Sequence, residues 1–401
     1  MTQTSTTSAE PAIRLADIIR EHGDDFLTRH GAHLTSVQKK ALRDVADCRT
    51  LALGGHVFRC QACDHNRIAY NSCRNRHCPQ CRASAPAEWL DRQAESLLPV
   101  EYFHVVFTLP SQVDRLAKLN PVTVYNALFQ ATAETLKQVA ADPRHLGAEV
   151  GLLLVLHTWG QNLSFHPHVH GVVTGGGLAC DRDGTLESPP RWKSCRPGFF
   201  LPVRVLSRVF RGKFLALIRA AFEAGKLLGF SDAADHAKWE IEVRSFDWVV
   251  YSKPPFGGPE VVLKYLSMYT HRIALSDRRL VSLEAGQVTF TAKDYRRDGK
   301  VIRLTLSADD FLNRWLQHVL PRGFVKIRSY GLLANRYRTE KIALCRRLLF
   351  PLVVSRTVTP MAEEPREEPA CEKCGCQRWI KVGEIGKSVQ PGFRCAKVDS
   401  S

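Results

Sequence analysis

The amino-acid sequence predicts an α+β protein, and three observations carry that prediction. The runs "VGLLLVLHTWG" (150–160) and "FHPHVHGVVTGG" (165–176) are strand-like and joined by a short polar turn, the pattern of a β-hairpin. "EYFHVVFTLP" (101–110) is β-branched and aromatic and stops at a proline, so it reads as a further, buried strand. Helical stretches alternate irregularly with such strands across residues 100–345, the order of an α+β core.

The remaining elements follow from local pattern. Residues 9–50 read as helices, with Ile13, Leu15, Ile18 and Ile19 at helical spacing and a second periodic stretch from Val37 to Val45. Asn120-Pro121 opens a helix of about twenty residues, because proline suits the first helical turn. Residues 181–202, with Pro189-Pro190, Pro197 and Pro202, read as a loop or inserted segment. Helix is expected over 205–228, strand over 238–251, and helix again in "GGPEVVLKYLSMYTHR" (257–272), with Pro259 near its start. "VTPMAEEPREEPA" (358–370) is an acidic, proline-rich linker, and a tail with Cys371, Cys374, Cys376 and Cys395 follows. No internal repeat of solenoid length is present.

The 401 residues suffice for two or three domains, and 44% hydrophobic with 24% charged content is ordinary for a globular protein. The sign of the charge is not ordinary: 56 Lys and Arg against 40 Asp and Glu give +16. Such a field draws polyanions, so nucleic acid is the first partner to expect. The polar start lacks the charged-then-apolar order of a secretory leader. The longest clearly apolar run, Val150 to Leu156, falls far below the ~20 residues a membrane span needs. The expectation is a soluble, cytoplasmic protein without membrane partners. In a reducing compartment its thirteen cysteines are metal ligands or buried thiols rather than disulfides.

Cys60-x2-Cys63 and Cys78-x2-Cys81, fourteen residues apart, match a closed tetrahedral zinc site of four thiolates. His65, Cys73 and His77 lie inside the block as alternative ligands or parts of a second site. Arg59, Arg67, Arg74, Arg76 and Arg82 surround the knuckles and suit phosphate contact. The tail cysteines have the spacing of half a knuckle pair, which leaves zinc binding and disorder both open.

In "FHPHVHGVVTGGG", His166, His168 and His170 stand at alternate positions. Side chains of a strand alternate between faces, so His168 and His170 converge while Val169 turns to the core. Pro167 cannot donate to a ladder, which puts 166 and 167 at the strand's start and leaves His166 as a candidate third ligand. Two histidine ligands leave coordination positions open, as in a catalytic site, and such a metal can polarise a phosphoryl oxygen. In "KYLSMYTHR", Tyr265 and Tyr269 are four apart and share one helical face, flanked by Lys264, His271 and Arg272. A tyrosine hydroxyl, with a pKa of about 10, needs an activating neighbour or metal to act as a nucleophile. From 321 to 347 the chain carries Arg322, Lys326, Arg328, Arg336, Arg338, Lys341, Arg346 and Arg347, interleaved with Phe324, Tyr330 and Tyr337. That mixture suits single-stranded or hairpin DNA, phosphates on the cations and bases on the rings.

"FHVVFTLP" (103–110), "LHTWGQNL" (156–163), "HPHVHGVVTGGGL" (166–178), "YLSMYTHRIALSDRRL" (265–280), "KDYR" (293–296) and "HVLPRGFVKIRSYGLLANR" (318–336) together resemble the rolling-circle transposases of the insertion-sequence ninety-one family. "YNSCRNRHCPQC" (70–81) resembles the zinc-binding domain that precedes the transposase domain there. The resemblance spans most of residues 15–350. It implies a HUH endonuclease core, a central antiparallel sheet flanked by helices and carrying His-hydrophobe-His, here His168, Val169 and His170. It implies that Tyr265 and Tyr269 are the nucleophiles, that 5′-phosphotyrosine forms on single-stranded DNA at element ends, and that rejoining needs no ATP. The third metal ligand is open among His166, His157 and Gln161. Imidazole favours Mn²⁺ over Mg²⁺, although abundance keeps Mg²⁺ as a candidate. The expected domains are 10–98, helical and zinc-binding; 99–350, the nuclease; and 351–401, linker and tail. Two other readings compete: a plasmid replication initiator or relaxase, and a zinc-containing DNA-binding regulator without catalysis.

Overall fold

The computed structural model describes residues 13–82, 97–181, 184–253, 261–262, 273–294, 297–350 and 369–388. The chain starts with α1 (Leu15–His30), which buries Leu15, Ile18, Ile19 and Phe26 along one stripe. A reciprocal cap opens α2 (Ser36–Asp47): the Gln38 amide donates to Thr35 Oγ1 at 3.3 Å and the Thr35 amide to Gln38 Oε1 at 2.9 Å. The hairpin of β1 (Gly55–Cys60) and β2 (Asn66–Tyr70) follows, then the single turn α3 (Pro79–Arg82).

The central sheet comes next. Its elements are β3 (Tyr102–Thr108), α4 (Asp114–Leu119), α5 (Pro121–Ala141), β4 (Ala148–Trp159), β5 (Phe165–Ala179), β6 (Trp192–Ser194), α6 (Val203–Glu223), α7 (Ala233–Ser245) and β7 (Val250–Lys253). Then β8 (Leu280–Glu284), β9 (Gln287–Asp294) and β10 (Lys300–Ser307) make an antiparallel meander closed by α8 (Ala308–Leu316). The central sheet receives β11 (Ile327–Gly331), α9 (Arg338–Leu349) packs beyond it, and β12 (Trp379–Ile385) ends the described chain. Strand order in the six-stranded sheet is β11-β4-β5-β3-β7, with β6 on β5, and every pairing is antiparallel. The protein is thus α+β, with antiparallel sheets flanked by helices.

Strand parity divides the central sheet into two faces. Phe103, Val105 and Phe107 of β3, Leu152, Leu154 and Leu156 of β4, and Val169 and Val173 of β5 bury against α5 and α6 in the largest core. The opposite face carries Tyr102, Leu153 and Val172 under Leu332, Ile342 and Cys345 of the β11–α9 segment. His104, His157, His168 and His170 share the parity of this second face. A separate core joins Leu15, Ile18, Phe26 and Leu42 of the N-terminal helices to Val288, Phe290, Phe311 and Trp315 of the meander and α8. Residues from both sides of position 98 therefore pack together, and the Leu15 amide donates to buried Asp277 at 3.0 Å across the same seam.

Two local expectations are corrected. Residues 238–251 are not one strand: α7 runs to Ser245, and only Val250–Lys253 are extended. The alternation in "WEIEV" mimics a strand, but the spacing of His236, Glu240 and Val243 is helical and these are the buried positions, while Ile241 is exposed. Asp232 caps the helix through the Asp235 amide at 2.8 Å, and Arg219 and Arg244 neutralise Glu240. The segment 181–202 contributes β6, pairing Gly176 with Ser194. The glycine run beside it serves close backbone approach: a Cβ at Gly176 would stand 2.6 Å from the Lys193 carbonyl.

Candidate metal centres and nucleic-acid interface

Register assembles the histidine site. His157 of β4 lies directly opposite His168 of β5, and His170 lies between Val155 of β4 and Val106 of β3. One ring nitrogen from each of His157, His168 and His170 falls within 4.8 Å of the others. His168 Nε2 and His170 Nε2 are 3.1 Å apart. Two nitrogens bound at right angles to one ion, each about 2.1 Å from it, would stand about 3.0 Å apart.

Hydrogen bonds orient two of the rings. A carbonyl can only accept, so His168 Nδ1 donates to the His166 carbonyl at 2.6 Å, and neutral His168 then presents a bare Nε2. His170 Nδ1 stands 2.9 Å from Nε2 of His104, a buried residue of β3. Burial, with Lys253 and His168 adding to it, pushes the His104 pKa down to about 3, so its imidazole is neutral and able to accept from His170. His157 is buried and stacks on Trp159 with ring centroids 4.5 Å apart.

His166 is outside this group of three; its exposed ring lies 5.3 Å from that of His168, centroid to centroid, while its carbonyl holds Nδ1 of His168. His104 had no signal of its own in the sequence beyond sitting on an apolar strand, and only the β3–β5 register brings it to His170. Tyr265, Tyr269, Lys264 and Arg272 lie outside the described residues.

The cysteines form two groups, not the single group expected from Cys60, Cys63, Cys78 and Cys81. Cys78 and Cys81 join Cys73 and Cys48, whereas Cys60 and Cys63 join Cys371 and Cys374. The reason is the β1–β2 hairpin. Cys60 and Cys63 lie at its tip, while Cys48 precedes its base and Cys73 follows it, about 20 Å of strand away. In the first group Cys81 Sγ is 3.5 Å from both Cys48 Sγ and Cys73 Sγ, too far for a disulfide and near the spacing of thiolates around one ion. Hydrogen bonding from Cys73 and Cys78 holds the Cys48 thiol well below its ordinary value, and those contacts push Cys78 up. Cys48 was missed in the sequence reading; the signal for it was Cys73-x4-Cys78-x2-Cys81, three ligands wanting a fourth. His65 and His77 stand outside both groups, and His77 Nε2 instead accepts from the Leu320 amide at 3.3 Å.

The basic segment after 321 lies beside the central sheet. Arg328 stacks over Phe129 at 4.3 Å and donates to Asn126 Oδ1 at 2.6 Å. Leu153, Ile327, Arg328, Tyr330, Asn335 and Arg338 line a cleft of about 400 Å³. Arg322 and Arg336 are exposed, and Tyr337 offers an exposed ring. Phe324, expected to meet bases, is instead buried, 5.6 Å from Tyr125 ring to ring. Arg76 reaches from the zinc-block segment to this loop and donates to the carbonyls of Phe324 at 2.6 Å and Pro321 at 2.8 Å. Arg74 is exposed, with φ of 54°.

No described helix is long and apolar enough to cross a membrane. A family model described as "Putative transposase" matches residues 151–341, and one described as "Transposase zinc-binding domain" matches residues 18–109. The chain is 50% identical over 359 residues to "Putative transposase y4qJ" of Sinorhizobium fredii, with 88% of each chain covered. It is 31% identical over 319 residues to "Transposase for insertion sequence element IS801" of Pseudomonas savastanoi pv. phaseolicola, covering 76% of this chain and 72% of that one. No solved structure matches it.

Proposed function

Since this chain belongs to the insertion-sequence ninety-one family of transposases, enzymes that act on DNA, we propose that it cuts and rejoins single-stranded DNA at the ends of a mobile element, by rolling-circle transposition in the cytoplasm. The observation that carries this reading is the convergence of His157, His168 and His170 on one face of the central sheet, with neighbours orienting two of the rings. The nitrogen-only donor set fits a divalent ion, Mn²⁺ more tightly than Mg²⁺. Such an ion would supply charge neutralisation and polarisation at the scissile phosphate.

The chain's own residues carry the covalent step. The phenolic oxygen of Tyr265 or Tyr269 forms a bond to phosphorus as the bond from phosphorus to O3′ breaks. The phenol's proton ends on O3′, leaving a 5′-phosphotyrosine and a free 3′-OH. Attack of a 3′-OH on the phosphotyrosine reverses the exchange, so no energy source is consumed. The second tyrosine permits a second cleavage while the first strand is still held. Arg322, Lys326, Arg328, Arg336 and Arg338 would contact phosphates, with Arg74 doing so from the cysteine block and Lys264 and Arg272 beside the tyrosines. Cys48, Cys73, Cys78 and Cys81 would hold a structural zinc that fixes the segment after β2 onto the end of α2.

The test is incubation of the protein with labelled single-stranded element ends and Mn²⁺ or Mg²⁺. A covalent protein–DNA adduct is expected, and its absence, or its full retention in the Tyr265→Phe/Tyr269→Phe double variant, refutes the nuclease.

A further inference from the structure

The tail does not stand apart from the N-terminal module. β12 pairs antiparallel with β1 from Gly55 opposite Ile385 to Cys60 opposite Trp379, giving a three-stranded sheet in the order β12-β1-β2. The ladder continues past the strand ends: the Gln61 amide donates to the Arg378 carbonyl at 3.1 Å, and that of Ser388 to the Leu51 carbonyl at 3.3 Å. Arg67 of β2 stacks over Trp379 at 5.1 Å. At the hairpin tip, Cys60 Sγ is 3.6 Å from Cys374 Sγ, and Cys63 Sγ is 3.6 Å from Cys371 Sγ.

The two Cys-x2-Cys turns are built alike. In the first, the Cys60 amide donates to the His65 carbonyl at 2.9 Å and the Asp64 amide to the Cys60 carbonyl at 3.1 Å. In the second, the Cys371 amide donates to the Cys376 carbonyl at 2.8 Å and the Gly375 amide to the Cys371 carbonyl at 2.8 Å. Each turn places a left-handed residue straight after its second cysteine, Asp64 with φ of 56° and Gly375 with φ of 73°. An amide also points at a ligand sulfur in each: that of Ala62 at Cys60 Sγ, 3.5 Å, and that of Lys373 at Cys371 Sγ. Amides aimed at sulfur favour the thiolate, the form that binds metal. Four sulfurs about 2.3 Å from one tetrahedral ion would stand about 3.8 Å apart, close to the separations found here.

We propose that Cys60, Cys63, Cys371 and Cys374 hold one zinc ion between them, so that two segments far apart in the sequence close a single zinc ribbon. Neither knuckle is a complete site alone. The last strand of the module is thus supplied from more than three hundred residues downstream, and the ion pins it there. The transposase-domain segment lies between the two halves of the site, so closing the ribbon also closes the intervening chain into a loop. The site is distinct from the Cys48 group and rests on geometry independent of the histidine site.

Cysteine alkylation read residue by residue by mass spectrometry tests this without substituting any ligand. Cys63 and Cys374 are exposed and would react readily if unligated. In the zinc-replete full chain, Cys60, Cys63, Cys371 and Cys374 should all resist N-ethylmaleimide, and a chelator should expose the four together. Equal labelling of Cys63 and Cys374 before and after chelation overturns the proposal. As a second arm, zinc content should fall by one ion per chain in Cys371→Ser/Cys374→Ser, by one in Cys60→Ser/Cys63→Ser, and by only one when all four are replaced. Unchanged zinc in either pair, or a loss of two in the fourfold variant, overturns it as well.

Discussion

His104 Nε2 stands 2.9 Å from His170 Nδ1, across two neighbouring strands that pair Val106 with His170, and the two rings lie within 7° of parallel. The contact suits His104 to a positioning role: with its Nε2 accepting, His170 would carry its proton on Nδ1 and turn a bare Nε2 towards His168. Second-layer partners of this kind typically contribute 10–100-fold to metal affinity. His104→Ala is therefore expected to weaken Mn²⁺ binding about 10–100-fold, with His104→Gln, which keeps an acceptor, recovering part of it. Titration followed by the Mn²⁺ electron paramagnetic resonance signal checks this without any cleavage assay; equal affinity in His104→Ala would refute it.

His157 and His166 are separated by the same measurement. His157→Ala removes a buried ring of the converging group, and metal binding and adduct formation should both fall by at least about tenfold. His166→Ala keeps the backbone carbonyl that holds His168, so both should stay within about twofold of the unsubstituted protein. The reverse order would restore His166 as the third ligand.

Arg76 and Arg322 should differ in kind. Arg76→Ala removes two charge-assisted bonds between the cysteine block and the 321–324 loop, a loss of about 1.5–3 kcal/mol in stability, measurable by urea denaturation. Arg322 is exposed, so Arg322→Ala should leave stability unchanged. It should weaken single-stranded DNA binding and shallow the log-affinity against log-salt slope by about 0.7. A steep loss of stability in Arg322→Ala would contradict the assignment.

His318 gives a pH dependence. It is buried, its Nε2 donates to the Leu163 carbonyl at 3.1 Å, and its Nδ1 accepts from Thr158 Oγ1 at 3.2 Å, holding the turn between β4 and β5. Burial depresses its pKa to about 4 from the ordinary 6.5. The unfolded chain therefore takes up the proton first on acidification, and stability is lost as pH falls from about 6.5 to about 4, by about 3 kcal/mol in all. Denaturation at a series of pH values should show this slope, and His318→Gln should lack that share of it; identical slopes would exclude His318 as the cause.

Much of the site was legible because strand chemistry is periodic. The alternation of His166, His168 and His170 about Val169 already places the imidazoles on one face, and Asn120-Pro121 already opens α5. Local pattern failed where burial came from another element. The period of two in "WEIEV" lost to a helix whose face is completed by Arg219, and Phe324 was drawn inward by Tyr125 and Phe129.

The sequence by itself determined which residue types are available and how neighbours along one element are oriented: the α+β class, the histidine pair, the cysteine knuckles, the basic segment, and the family they resemble. Tertiary structure decided which of them meet. His104 and His157 reach the pair through cross-strand register. Cys60 and Cys63 are drawn from Cys78 and Cys81 by the length of a hairpin, and towards Cys371 and Cys374 by the ladder between β1 and β12. Spacing along a chain constrains distance only while the backbone conformation between two residues is fixed; beyond one element, strand pairing and packing set it.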